Sequence, residues 1–431
     1  MRRFITARAL RAPMYPVYRR VAPVGDAVYV DLGTADRDVV VITPEGWEVR
    51  TGDIPVRFRR NALSPLPMPE RPQGVEEAIR WLDEFSGLMP LQGVQRLLLT
   101  GWLLGLLNPI PQYPVLVLTG EKGAGKTTVA RAIVKLLEPH MDVMVISNQD
   151  GLLAAAYNNY VIGLDNLSSI PKDLSDWLCV MSTGGQMVKR QLYTDSGQNA
   201  VEVRRPVVLT GIALEVLRDD LADRAVLLSL SRIADEERCT ERVLWSAYRG
   251  MHARVLGALF TLAVEAMRAR SEVERGRSVP RLADWVLFVE GASPLLGLRR
   301  GEFAEEVFRM QGLLSQEVMD LDPVANALVM LAEEMVPGER RVYITQELLA
   351  CLEEVVGIRD ARVKPMGWPK SATALARHLP RLQSGLRVYG VRLGKTYAAH
   401  EKRTVWVLER VVKADAAELT PPRVSHGENR R

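Results

Sequence analysis

The chain has 431 residues, 47% of them hydrophobic and 25% charged, with a formal net charge of +4; this is the make-up of a folded globular protein of about two to four domains and excludes a disordered or fibrous chain. Cys179, Cys239 and Cys351 lie far apart with no CxxC pair, which argues against a disulfide framework or a zinc site and fits a reducing cytoplasm, and scattered histidines add no metal-ligand spacing. The charge is uneven: residues 362–431 carry 15 Lys and Arg against 5 Asp and Glu, which points to a polyanion partner, nucleic acid first, with a solvated basic tail as the plainer alternative.

The N-terminal MRRFITARALRAPMYPVYRR is Arg-rich and lacks the apolar core of a secretory signal, so a flexible basic arm is expected there, with a transit peptide as the alternative. Runs such as AVYVDLG and DVVVITPEGWEVR, split by Gly and Asp turns, predict a small β-rich domain over 1–63, where recruitment of a primase or bracing of an assembly are both open roles; no primase motif is visible. The Pro-rich 64–74 reads as a linker. A helical lead-in over 75–112 holds an amphipathic helix and the apolar LLLTGWLLGLL at 97–107, too short to cross a bilayer, so a buried helix is expected and no membrane partner. An α/β core is predicted over 113–234, a helical domain over 235–338, a basic module of helices followed by a β-hairpin over 339–412, and a disordered polar tail over 413–431.

The core carries the chemistry. GEKGAGKTT, from Gly120 through Glu121, Lys122, Gly123, Ala124, Gly125, Lys126 and Thr127 to Thr128, fits a Walker A phosphate loop in full. Its glycines turn backbone N–H groups onto β- and γ-phosphates, Lys126 reaches those oxygens and the Thr127 hydroxyl can ligate Mg²⁺. The apolar YPVLVLTG before it reads as a buried parallel strand, and KTTVARAIVKLLEP after it as a helix whose N-terminus faces the phosphates. ATP or GTP binding with Mg²⁺ follows.

Downstream, the strand Tyr160–Leu164 ends at Asp165, placed to hold Mg²⁺ as a Walker B aspartate. Asn166 stands where most motor ATPases put a second acid; an amide orients water but is a poor base, so hydrolysis could be slow, or Asp173 or Asp176 could serve. The stretch MSTGGQMVKRQLYTDSGQNAVEVRRPVVLTG predicts a basic hairpin with Lys189 and Arg190 on one strand, a tip at Asp195-Ser196-Gly197, and Arg204 and Arg205 on the return strand. The next strand ends at the polar Thr210, and Arg224 stands directly before a further apolar strand, where charge alone reads as an exposed strand edge.

In the C-terminal module, SATALARHL predicts a helix capped by Ser371, with Leu375 and Leu379 inward and Thr373, Arg377 and His378 outward; Pro380 is expected to end it, leaving Arg381 beyond. LRVYGVRLGKTYAAHEKRTVWVLER then reads as two strands joined by a loop bearing Lys395, Lys402 and Arg403. Helix and basic-tipped hairpin together resemble a winged helix, which binds duplex DNA through recognition helix and wing or serves protein contacts alone.

The order Walker A, LDN, STGG…KRQLYTD, RPVVLTG and DLADRAVLLSL resembles the superfamily 3 (D5-like) helicase ATPases of phages, plasmids and integrated elements, over about residues 25–310. The nearest likeness is to a bacterial mobile-element ATP-binding family with the same β-rich lead-in. The resemblance implies a P-loop NTPase core of AAA+ type that forms a ring, hexameric by expectation, on DNA. It implies Arg224 as the arginine that reaches a neighbouring subunit's γ-phosphate, Lys189 and Arg190 on a hairpin facing DNA in the pore or the adjacent subunit, and Thr210 as the sensor, where such ATPases commonly have asparagine. Asn166 and Thr210 are departures that weigh against brisk hydrolysis. Two readings stay open: a replication helicase or initiator motor, and a slowly hydrolysing AAA+ switch that assembles on ATP and binds DNA without unwinding it. A small-molecule kinase ranks last, since a basic winged helix has no role in one.

Overall fold

A computed structural model describes residues 15–60, 64–146, 148–167, 170–190, 198–211, 219–234, 236, 239–273, 281–358, 364–365, 367–383, 385–398 and 403–411. The N-terminal arm, the hairpin tip at 195–197, Lys402 and the tail at 413–431 lie outside the described residues. The chain divides into two compact units, one formed by 1–213 and 224–310, the other by 214–223 and 311–431.

The first unit opens with β1 (Val17–Tyr18), then an antiparallel meander of β2 (Val21–Val24), β3 (Ala27–Asp31), β4 (Asp38–Thr43) and β5 (Gly46–Thr51), and then β6 (Arg57–Phe58), which pairs in parallel with β1. Helices α1 (Val75–Gly87) and α2 (Val94–Gly105) follow. The apolar run at 97–107 is buried from Leu98 through Gly105, and among the described residues no helix is long and apolar enough to cross a membrane.

Next comes a four-stranded parallel sheet in the order β12-β7-β11-β8, built from β7 (Val115–Thr119), β8 (Ile162–Leu164), β11 (Val207–Thr210) and β12 (Ala225–Ser229). Its helices are α3 (Lys126–Lys135), α4 (Gln149–Asn158) and α5 (Lys172–Thr183). The strands are buried on both faces, which is why they read as continuous Val/Leu runs and not as alternating ones. The antiparallel hairpin β9 (Gln186–Arg190) and β10 (Gln198–Glu202) leaves this layer after α5. The 33-residue helix α7 (Glu241–Val273), together with α8 (Ala283–Ala292), backs α1, α2 and the N-terminal meander.

The Pro-rich 64–74 is a strap and not a free linker. Leu66, Pro69 and Pro72 are buried, Glu70 N donates to Ala253 O at 3.0 Å, and a β-carbon at Gly257 of α7 would overlap the Glu70 carbonyl oxygen. Gly257→Ala is therefore expected to destabilise the fold by about 1–3 kcal/mol, as forced overpacking does. Gly250→Ala on the same helix meets open space and should be neutral or stabilising. Paired thermal-unfolding scans check both.

A buried cluster joins the N-terminal strands to the sheet. Arg20 is fully buried at φ +59°, donates to Asp31 O and Ser64 O, each at 2.9 Å, and lies 3.6 Å from Glu138 just past α3. Glu138 in turn accepts from Tyr160 N at 2.7 Å. Burial pushes the Arg20 guanidinium down to about 10, opposed by the charge of Glu138, so the guanidinium itself stays charged at neutral pH. The same carboxylate thus fixes the end of α3 and the lead into β8.

The second unit has α6 (Asp219–Ala222) and the helix α9 (Glu302–Leu321), which begins in the first unit. After these it runs α10 (Pro323–Glu333), β13 (Arg340–Tyr343), α11 (Thr345–Val355), α12 (Ala372–Leu382), β14 (Val391–Ala398) and β15 (Arg403–Arg410), with antiparallel sheet order β13-β15-β14. Asp322 caps α10 by accepting from Val324 N and Ala325 N, and its second oxygen lies 2.7 Å from His378 Nε2. His378 is therefore tied back to a cap and does not stand free on an outer face.

Two expectations fail here. Pro380 does not end α12: the helix runs on to Leu382, because Leu379 and Leu382 both reach the core of this unit and their burial outweighs one missing N–H in the last turn. Arg381 is accordingly inside the helix. Nor do Lys395 and Arg403 sit in the loop. Lys395 pairs with Trp406 within β14 and Arg403 opens β15, because the β-formers Thr396 and Tyr397 carry the ladder on to Val405 and Thr404.

Candidate functional site

Parallel strands place β7, β11 and β8 with their C-terminal ends together, and the loop Gly120–Gly125 emerges there to open α3. Gly120, Gly123 and Gly125 have φ of +140°, +88° and +78°, values open to glycine and costly for other residues. At Gly120 a β-carbon would also lie 2.6 Å from Leu230 O. The loop is thus a cradle that side chains would fill. Glu121, Lys122 and Gly123 are exposed while Ala124 is buried beneath them. Lys126 Nζ donates to Gly120 O at 2.8 Å and Glu121 O at 2.9 Å, which holds the ammonium across the mouth of the loop.

Three side chains meet at the strand ends. Thr127 Oγ1 donates to Asp165 Oδ1 at 3.1 Å, and the Thr210 hydroxyl donates to the same oxygen in a short hydrogen bond while accepting from Asn166 N at 3.3 Å. Because β11 lies between β7 and β8, Thr210 is the neighbour of Asp165, and its one hydroxyl ties that carboxylate to the following residue. Asn166 is exposed at φ +56°, and directly against it lies Gly211 at φ +79°, whose β-carbon would come 2.8 Å from Asn166 Cα. Asn and Asp tolerate this left-handed backbone best among residues with side chains, so the amide at 166 satisfies a local backbone demand that glutamate would not. Of the alternative acids, Asp173 is exposed and Asp176 pairs with Lys172 at 3.6 Å.

Arg224 sits at the other edge of the sheet: its carbonyl accepts from Val115 N at 2.8 Å, at the start of β7. One strand length, roughly 16 Å, separates its backbone from the loop of its own chain. Lys189 and Arg190 close β9, with Arg190 paired to Gln198. Arg204 and Arg205 are not on the hairpin, since β10 ends at Glu202. They turn inward at its base, where Arg205 donates to Ala156 O at 2.8 Å and Arg204 to Pro111 O at 3.4 Å. Desolvation holds the Arg205 guanidinium below its ordinary value. In the second unit Arg377 and Lys395 are exposed, Arg381 is half-buried, and Lys395 lies 5.7 Å from the Trp406 ring centre.

Sequence reasoning missed one part. A cavity of about 530 Å³ opens beside Gly123, Gly125 and Thr128, walled by Met89, Leu91, Ile233 and Leu244 with Arg96. Its walls come from the α1–α2 connection, the exit of β12 and the start of α7, elements far apart in sequence. Among the described residues no group of His, Cys, Asp and Glu side chains could hold a metal by itself, and the three cysteines are free.

By fold and site this is a mixed α/β protein with a glycine loop at the C-terminal edge of a parallel sheet. Residues 84–298 match the actinomycete integrative conjugative element replication proteins, and residues 324–419 match the C-terminal domain of the same proteins. Through these two matches, which together take in most of the chain, it belongs to that family of replication proteins. Among solved structures, the A-form apo structure of the NrS-1 C-terminal region is similar at 12% identity over 87% of this chain and 94% of that one, with a TM-score of 0.35. A JCV helicase bound to a thiazolopyridine-phenoxyphenyl acetamide is similar at 13% identity over 56% of this chain and 66% of that one, with a TM-score of 0.30. A search of curated proteins gives no match.

Proposed function

We propose that the chain is an ATP-dependent DNA motor of a mobile element's replication apparatus, working as a ring, hexameric by expectation, with ATP and Mg²⁺ held between subunits. The observation that carries this reading is the meeting of Thr127, Asp165 and Thr210 on one carboxylate oxygen beside the glycine cradle and the N-terminus of α3. Loop N–H groups, the helix end and Lys126 would bind β- and γ-phosphates. Thr127 and Asp165 would hold Mg²⁺, and the 530 Å³ cavity, of a size usual for small-molecule sites, would take the base between Met89, Leu91 and Ile233. Bound ATP supplies the phosphoryl group that water accepts. Thr210 keeps Asp165 and Asn166 in register, Asn166 orients water without accepting its proton, and Arg224 reaches a neighbour's site.

Lys189 and Arg190 would contact a single strand. The order helix, strand, two helices, two strands, with β13 on the outer side of β15, supports a winged helix in the second unit. Arg377 and Arg381 would there face duplex DNA, with Lys395, Lys402 and Arg403 at the backbone. A primase or another replication protein remains a partner for the N-terminal strands.

Asn166 favours a second reading, a switch that assembles on ATP, hydrolyses it slowly and grips DNA without unwinding. Steady-state hydrolysis with and without single-stranded DNA separates the two. DNA-stimulated turnover is expected from a motor, and a near-zero rate with tight ATP binding from a switch. Asn166→Asp, which keeps the backbone conformation and adds a base, is expected to raise the rate at least tenfold, within the roughly 10²–10⁴ that positioned bases contribute. No gain would place the slow step outside proton removal.

A further inference from the structure

The exposed face of the β1–β6 pair carries two open stacks that neither the family nor the nucleotide site explains. Arg57 Cζ lies 3.7 Å from the centre of the Tyr15 ring, and Arg59 Cζ lies 3.9 Å from the centre of the Tyr157 ring at the end of α4. Both tyrosines are half open to solvent among the described residues, at 52% and 54%, so each ring carries a guanidinium and still keeps exposed surface. Arg57 pairs in register with Val17, and Arg59 N continues the ladder by donating to Tyr18 O at 2.9 Å. Extended backbone therefore puts the two arginines on one face, two residues and about 6.6 Å apart.

No carboxylate pairs with Arg57 or Arg59 among the described residues. Arg59 Nη1 and Nη2 reach only Tyr157 O and Asn158 Oδ1, at long distances of 3.4 and 3.5 Å. A guanidinium laid flat on a ring keeps its edge donors directed outward, in the fork that matches a phosphate. An aromatic face beside an unpaired cation, repeated at the spacing of an extended chain, is what a single nucleic-acid strand requires: one surface for a base and one charge for a phosphate at each step. An acidic peptide offers the charge but no flat faces, and duplex DNA hides its base faces.

Close by in the chain, Ala156, the residue before Tyr157, accepts from Arg205 at the hairpin base. We infer that Tyr15, Arg57, Arg59 and Tyr157 form a stacking platform for single-stranded DNA, outside the pore hairpin, that receives the strand on its way to or from Lys189 and Arg190. This rests on the DNA reading above.

The test is fluorescence anisotropy of a labelled oligothymidylate with the full chain over a salt series. Arg57→Gln with Arg59→Gln should lower the slope of log affinity against log salt by about 1.4, roughly 0.7 for each phosphate contact on a single strand. Tyr15→Leu with Tyr157→Leu should weaken binding about tenfold or more at an unchanged slope, while Phe at both positions restores it. In the unaltered chain, photo-crosslinking of a 4-thiothymidine oligonucleotide should map to Tyr15 or Tyr157.

If the wild-type chain binds no oligonucleotide, the DNA reading itself falls. If it binds, and the four substitutions leave affinity and slope at wild-type values with crosslinks only elsewhere, the platform is overturned and the DNA reading stands; a patch serving an acidic protein segment would give that same overturning result.

Discussion

Lys126→Ala is expected to lower hydrolysis by roughly 10²–10³ while leaving the chain folded and still able to bind ATP more weakly. The ammonium makes its hydrogen bonds to the Gly120 and Glu121 carbonyls at the mouth of the loop, and no buried group depends on them. Its loss should cost folding stability no more than about 0.5 kcal/mol, as for other surface changes. In the proposed site the same charge faces the oxygens where negative charge grows as the γ-phosphoryl moves. Removing one fixed donor of that kind costs roughly 10²–10³ in kcat. The loop N–H groups and the end of α3 remain, so binding should survive in part. Turnover measured with single-stranded DNA, beside the thermal shift produced by ATP, separates the two effects. Saturation at a hundredfold over Kd should stabilise the wild type by about 2.7 kcal/mol, and the variant should retain a smaller shift. DNA-stimulated turnover that persists undiminished in Lys126→Ala would move the chemistry to another site.

The part of this site that could be read in advance is the part that is local in sequence. Strand, glycine loop and helix follow one another from Val115 to Lys135, and each glycine has a backbone reason to be where it is. Asp165 and Thr210 were legible as polar residues ending apolar strands. That they share one hydrogen-bonded oxygen was not, because it depends on β11 entering the sheet between β7 and β8. Asn166 shows the limit most clearly. Sequence presents it as a missing acid, and the structure adds that its backbone is left-handed and pressed by Gly211, a constraint no pattern reveals.

The cavity walls were invisible for the opposite reason. Met89, Leu91 and Ile233 look like any core residue until three distant connections converge. Charge reads as exposure and puts Arg204 and Arg205 on the hairpin, whereas their guanidinium groups donate to carbonyls at its base. Pro380 misled by a true local rule overridden by two buried leucines. The strap at 64–74 has linker composition, yet α7 keeps a glycine where the strap crosses it.

Arg224 offers the sharpest test of assembly. At the N-terminal edge of β12 it is a full strand away from the glycine loop of its own chain, and the part proposed for it in hydrolysis is played on a neighbour. Arg224→Ala should then lower turnover by the roughly 10³–10⁵ that arginine fingers supply, with ATP binding to a single chain unaffected. Mixing gives the decisive result. A preparation of Lys126→Ala alone and one of Arg224→Ala alone should both be nearly inactive. Combined in equal amounts they should recover, because an interface whose loop comes from the Arg224→Ala chain and whose arginine comes from the Lys126→Ala chain is intact. In a head-to-tail ring with random mixing about one interface in four has that composition, so about a quarter of wild-type turnover is expected when interfaces fire independently. A lower yield would measure how strongly one interface waits on the next. No recovery, with mixed rings demonstrated by differential tags, would mean that Arg224 only holds the sheet edge, and the interfacial site would have to be abandoned.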